Sequence, residues 1–209
     1  MFIGYFSLAN AITLTGLIFS ATSCFLAVNG NYKLAIWMLF LTCFCDFLDG
    51  KVARAQKNRT PAEKFYGVQL DSLCDAISFG VTPCVIAFAF GFKGWFDVIV
   101  YCFFIACGVI RLAYFNTLSN ENPGKMMKTY RGLPIPMSTM MITFLLMLAT
   151  FIPANATLWL FRIAFIATAL LFVMNIKIKK PNLRKSVIIL AVESIFLIIL
   201  LVGELKLPM

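Results

Sequence analysis

The chain contains no histidine. This removes the commonest general base and the commonest metal ligand. Any metal must then be held by carboxylates, which points to Mg²⁺ or Mn²⁺. Charge is also scarce, at 13% of residues, against about a quarter in soluble domains. The seven cysteines are scattered through apolar runs with no paired spacing. They read as small buried hydrophobes rather than zinc ligands or disulfides. The short alternating segments of a β-barrel are missing, as are repeats and low-complexity tracts. The first apolar run, Ile12–Leu26, has no cationic start and no cleavage site. It is expected to be a retained helix.

What remains is apolar length. Apolar residues make up 61% of the chain, in runs of about twenty, the length of a spanning helix. The expected fold is all-α, a polytopic integral membrane protein forming one domain over residues 1–209. Hydropathy places about seven transmembrane helices. They lie near Asn10–Val28, Leu34–Ala55, Tyr66–Phe90, Trp95–Asn116, Leu133–Ile152, Thr157–Ile176 and Ser186–Val202. The connections alternate between short, weakly charged ones and longer basic ones. With the N-terminus in the cytoplasm, all the lysines and arginines but Lys33, Lys93, Arg162 and Lys206 fall on the cytoplasmic side, as the positive-inside rule requires. The net charge of +9 therefore reflects cytoplasmic loops and anionic lipid headgroups rather than nucleic acid. The basic segments Lys125–Arg131 and Lys177–Lys185 either set orientation or guide an anionic lipid.

Four of the nine acids, Asp46, Asp49, Asp71 and Asp75, sit at the ends of apolar runs. Each would cost about 2.5–3.5 kcal/mol at a bilayer centre. The predicted orientation puts them within a few turns of the cytoplasmic surface. On a helix, Asp46, Asp49, Gly50 and Ala53 share one face. Gly67, Asp71 and Asp75 share another, and Ser78 continues it. The two helices are consecutive and antiparallel, so the acidic faces meet. Four carboxylates in a small volume repel one another, and one or two divalent cations relieve that repulsion. Gly50 and Gly67 let a pyrophosphate approach the backbone. Arg54, one turn past Asp49, suits phosphate oxygens. These are recurring parts of a phosphoryl-transfer site. Two other uses of such acids are pairing with Lys51, Arg54 or Lys64 and an ion pathway. A cation transporter, however, spreads its acids through the membrane depth around broken helices.

The pattern Asp46-x2-Asp49-Gly50-x2-Ala53-Arg54, then Gly67-x3-Asp71-x3-Asp75, resembles the signature of the CDP-alcohol phosphotransferase family. The resemblance implies a membrane enzyme, usually a homodimer, with its active site open to the cytoplasm. It implies two Mg²⁺ or Mn²⁺ ions and displacement of CMP from a CDP-linked lipid. Asp46, Asp49 and Asp71 would be metal ligands. Asp75 would be the general base and also touch metal. Gly50, Ala53, Arg54 and Gly67 would line the CDP-lipid site. One departure is the spacer Ala55–Tyr66, which is on the long side for the family.

A wider resemblance covers Asn10–Thr13, Leu70–Pro83, Arg111–Asn116 and Gly132–Pro136. These stretches are similar to the bacterial and archaeal phosphatidylserine synthase branch of that family. That implies CDP-diacylglycerol and L-serine as substrates. Tyr114 departs from the branch, which commonly has arginine there. A zwitterionic acceptor needs a cation for its carboxylate and acceptors for its ammonium, and Ser78, Arg111 and Asn116 are the candidates. Each has an ordinary alternative: Ser78 bonding a helix carbonyl, Arg111 snorkelling to headgroups, Asn116 capping a helix. Asn10 and Thr13 either contact the nucleotide or cap the first helix. Pro134 and Pro136 mark a helix start. Glycerol-3-phosphate and inositol phosphate remain as acceptors, though they call for several cations and the fourth span offers only Arg111. The last two spans are generic.

Overall fold

The computed structural model describes residues 3–56, 59–121, 129–179 and 183–203. Lys57, Lys206 and parts of both basic segments, residues 125–128 and 180–182, lie outside the described residues. The described chain is almost entirely helical. Helix α1 (Leu8–Val28) and helix α2 (Tyr32–Ala55) form an antiparallel pair. They turn through Gly30, whose φ of +79° favours glycine. A single long rod follows, made of α3 (Pro61–Asp75), a π-helical segment (Ala76–Val81) and α4 (Thr82–Phe90). Helices α5 (Trp95–Glu121), α6 (Met137–Leu148), α7 (Ala154–Val173) and α8 (Leu183–Val202) complete the bundle.

Four of these rods are long and apolar enough to cross a membrane: Leu8–Val28, Pro61–Phe90, Trp95–Asn120 and Ala154–Val173. Helix α2 has the length, but its last turns carry Asp46, Asp49, Lys51 and Arg54. The apolar part of α8, Val187–Val202, is shorter. Helix α6 has 12 residues, fewer than the Leu133–Ile152 span expected from hydropathy. Pro134 and Pro136 lack the backbone donor that a helix interior needs. The chain therefore turns before Met137, and Ala149–Ile152 turn again ahead of Pro153. The protein is an integral membrane protein.

Small residues set the closest packing. Helix α1 buries Ala9, Asn10, Gly16, Ser20, Ser23 and Ala27. A Cβ on Gly16 would stand 3.1 Å from the Cβ of Cys45, tighter than ordinary contact, so glycine favours this close approach of α1 and α2. Thr42 of α2 donates to the Gly16 carbonyl at 3.1 Å. The other half of the core is aromatic, with Phe90, Phe92, Phe104, Phe161, Phe165 and Phe172 fully buried among α4, α5 and α7. All seven cysteines are free.

Helix α3 begins five residues earlier than hydropathy suggests. Thr60 caps it, accepting from Glu63 N at 3.2 Å, and Glu63 Oε2 accepts from Thr60 N at 2.7 Å. With Pro61 in the first turn this is a complete capping box. It takes up half of the long Ala55–Tyr66 spacer. A second feature absent from the sequence reading is a two-stranded antiparallel ribbon, β1 (Thr129–Arg131) with β2 (Lys177–Lys179). It ties the α5–α6 connection to the α7–α8 connection. Beside it, Gly132 donates to the Ile176 carbonyl at 3.0 Å. Gly132 has φ +76°, and a Cβ there would run into the Phe172 carbonyl. At the opposite end of the bundle, Lys33 Nζ donates to the Leu201 carbonyl at 2.8 Å.

Candidate active site

The acidic stripes of α2 and α3 do face each other. One oxygen each from Asp46, Asp49 and Asp71 comes within 4.8 Å of the others. Asp49 is buried, and the other two are half-buried. Thr13 of α1 donates to Asp49 Oδ2 at 2.5 Å, which holds that carboxylate in one orientation. Lys51, Arg54 and Lys64 form no ion pair with these acids among the described residues. Lys51 lies over the Phe47 ring instead, 3.7 Å from its centre. The donor set is three hard carboxylates with no nitrogen or sulfur, which fits a divalent cation of the Mg²⁺ class. Asp75 stands outside this trio.

Two cavities meet at Asp71. The first, about 200 Å³, is lined by Asn10, Thr13, Asp49, Gly50, Ala53, Arg54, Gly67 and Asp71, together with Arg59 and Lys64. Every residue expected on the CDP-lipid side is here. Asn10 and Thr13 are not the cap of α1, since Ser7 takes that role by accepting from Asn10 N at 3.2 Å. The two glycines make room for guanidinium groups. A Cβ on Gly50 would stand 3.3 Å from Arg54 Nη1, and one on Gly67 would collide with the Arg59 guanidinium and lie 3.4 Å from Asn10 Oδ1.

The second cavity, about 350 Å³, is lined by Asp46, Asp71, Ser72, Asp75, Arg111, Asn116 and Glu193, among others. Arg111 is buried in α5, so it does not snorkel. It lines this cavity together with Asp75. Asn116 is not a helix cap, because α5 runs on to Glu121. Its Oδ1 accepts from Ser72 Oγ at 3.0 Å. Ser78 is buried in the π segment and lines neither cavity. A guanidinium does reach Tyr114, but from another element: Arg131 of β1 donates to the Tyr114 hydroxyl at 3.0 Å.

Among the lining residues that the sequence does not place at the site are Arg59, Lys64, Ser72 and Glu193. Arg59 and Lys64 sit in the spacer and the first turn of α3, where the capping box Thr60–Glu63 is the sequence signal. Ser72 is next to Asp71. Glu193 is the one acid in the Val187–Val202 run, and a lone acid in an apolar span is itself a signal.

The sequence pattern of the CDP-alcohol phosphatidyltransferase family matches residues 6–174. A CDP-diacylglycerol–serine O-phosphatidyltransferase of Saccharomyces cerevisiae is 48% identical over 105 residues, covering 48% of this chain and 36% of that protein. One from Helicobacter pylori is 31% identical over 181 residues, covering 84% of this chain and 72% of that protein. An archaetidylserine synthase of Methanothermobacter thermautotrophicus is 34% identical over 123 residues, covering 58% of this chain and 49% of that protein. The chain thus aligns with only about a third of the yeast relative and about half of the archaeal one. The paired aspartate stripes and the family pattern that runs through both of them place this chain in the CDP-alcohol phosphatidyltransferase family.

Proposed function

We propose that this protein transfers the phosphatidyl group of CDP-diacylglycerol to L-serine and releases CMP. We read residues 1–209 as one membrane domain, with the active site open to the cytoplasm and two chains forming a homodimer. The observation that carries the reading is the meeting of two unlike cavities at Asp71. The cationic one, with Arg54, Arg59 and Lys64, suits a pyrophosphate. The other holds one arginine beside several carboxylates. That suits a zwitterion and poorly suits a phosphate monoester, which disfavours glycerol-3-phosphate and inositol phosphate as acceptors. The names carried by the relatives in yeast and H. pylori support the same substrates.

In this mechanism the CDP group lies against α1, α2 and α3, with Gly50 and Gly67 allowing close approach. The serine hydroxyl oxygen attacks the lipid-linked phosphorus. A bond forms there, and the bond from that phosphorus to the oxygen of CMP breaks. Asp75, outside the carboxylate trio and on the acceptor side, takes the hydroxyl proton. Arg54 offsets the charge that builds on the departing phosphate. Asp46, Asp49 and Asp71, together with Asp75, would hold two Mg²⁺ or Mn²⁺ ions. When bound, such ions stabilise charge on the pyrophosphate.

The test is CMP release by the purified protein in detergent. CDP-diacylglycerol is supplied with L-serine, glycerol-3-phosphate, inositol or inositol phosphate. Release with serine alone is expected. Release with a phosphorylated acceptor and none with serine would overturn the assignment.

A further inference from the structure

The last helix carries one acid, Glu193, and nothing in the mechanism above uses it. Its side chain is 1% exposed. Its Oε1 is buried with no hydrogen-bond partner. A carboxylate in this position is costly unless something pairs with it. Helix α8 packs on α2 and α6, and Glu193 lines the same cavity as Asp75 and Arg111. The residue lies beyond the 6–174 segment that matches the family pattern, so the shared motif does not account for it.

We propose that Glu193 receives the ammonium group of the acceptor and so selects amino alcohols. The inference rests on the reading of the larger cavity as the acceptor site. A small zwitterion presents one cation and one anion, and this cavity offers a matching pair from two different helices. Arg111 of α5 answers the carboxylate. Glu193 of α8 answers the ammonium. Asp46, Asp71 and Asp75 are occupied with the phosphoryl chemistry, which leaves Glu193 as the carboxylate free for recognition. The final helix thereby contributes a wall of the acceptor site.

The experiment compares wild type with Glu193→Gln, an isosteric change, using L-serine and 3-hydroxypropionate, which is serine without its ammonium. The KM for serine and the inhibition constant of 3-hydroxypropionate against serine are measured at saturating CDP-diacylglycerol. An ammonium bonded to a buried carboxylate predicts a rise of about 10- to 150-fold in the KM for serine. The inhibition constant of 3-hydroxypropionate and the KM for CDP-diacylglycerol stay within about threefold. Glu193→Asp keeps the charge and gives an intermediate KM, which covers the case in which the glutamine variant does not fold. An unchanged KM for serine overturns the proposal. So does an equal penalty on serine and 3-hydroxypropionate, which would make Glu193 a packing residue. Failure of the wild type to release CMP with serine would instead overturn the functional reading, and this inference with it.

Discussion

Thr13→Val tests whether Thr13 acts on the nucleotide or behind Asp49. Thr13 is expected from the sequence either to contact the nucleotide or to cap α1, and it lines the CDP-lipid cavity. Its hydroxyl sits 2.5 Å from Asp49 Oδ2 and 3.1 Å from the Ala9 carbonyl. A hydroxyl has one proton, and the shorter contact to the charged acceptor takes it. A hydrogen bond to a charged group contributes about 1.5–3 kcal/mol, which is about 10- to 150-fold in an equilibrium constant. Removing a partner that orients a metal ligand costs about 10- to 100-fold in metal affinity. Valine has the shape of threonine, so packing changes little. The Mg²⁺ concentration for half-maximal CMP release should therefore rise about 10- to 100-fold. The kcat at saturating Mg²⁺ and the KM for CDP-diacylglycerol should stay within about threefold. Thr13→Ser should restore the wild-type titration. An unchanged Mg²⁺ requirement would show that Thr13 does not hold a metal ligand in place. An elevated KM for CDP-diacylglycerol at every metal concentration would return Thr13 to the nucleotide.

Three further outcomes are expected. Asp75→Asn should cut turnover by about 10²- to 10⁴-fold, the usual contribution of a general base, while CDP-diacylglycerol still binds; wild-type turnover would remove Asp75 from that role. EDTA should abolish CMP release, and Mg²⁺ or Mn²⁺ should restore it; full activity in metal-free buffer would remove the metal. The third concerns the far end of the bundle. There Arg162 of α7 bonds Asp97 of α5 through Nε at 2.6 Å and Nη2 at 3.1 Å, with side chains 19% and 3% exposed. Breaking a buried pair costs about 3–5 kcal/mol, and the partial exposure of Arg162 brings that nearer about 2 kcal/mol. Asp97→Asn should then lower the Tm in detergent by about 4–8 °C with kcat unchanged. A Tm within a degree of wild type would mean that the pair contributes nothing.

The acidic stripes were legible because helical spacing alone puts Asp46 with Asp49 and Asp71 with Asp75 on single faces. The nucleotide side was legible for the same reason: Asn10, Thr13, Gly50, Ala53, Arg54 and Gly67 all line one cavity. The acceptor side was only half legible. Arg111 and Asn116 are there, but Ser72 was overshadowed by Asp71, and the lone acid Glu193 signals a role without saying which cavity α8 packs it into. The ribbon was not legible either. Its three-residue strands lie at the ends of basic segments, and its register sets Arg131 opposite Lys177, a like-charge pairing that sequence rules disfavour. Arg131 is nonetheless what brings a guanidinium to Tyr114.

Ser78 shows how a correct periodicity can mislead over one turn. Three residues past Asp75, it should extend the polar stripe of α3. The helix widens there: Thr82 N bonds the Ile77 carbonyl, five residues back. Such π turns recur at functional sites. Beyond it the α-helical phase is lost, and Ser78 turns into the core. The disturbed carbonyls are taken up by side chains, with Ser138 Oγ bonding Phe79 O at 2.8 Å and Thr82 Oγ1 bonding Ile77 O at 3.1 Å. Thr82 in turn meets Ser20 of α1 at 2.7 Å. An unbroken α-helix would carry the stripe Asp71, Asp75, Ser78 and Thr82 down one face. The wide turn stops that stripe at Asp75. Below it, the same rod presents a different, mostly apolar face to α1 and the phenylalanine core. One rod can therefore supply cavity-lining carboxylates at one end and core packing at the other, and the turn that separates the two roles starts directly after Asp75.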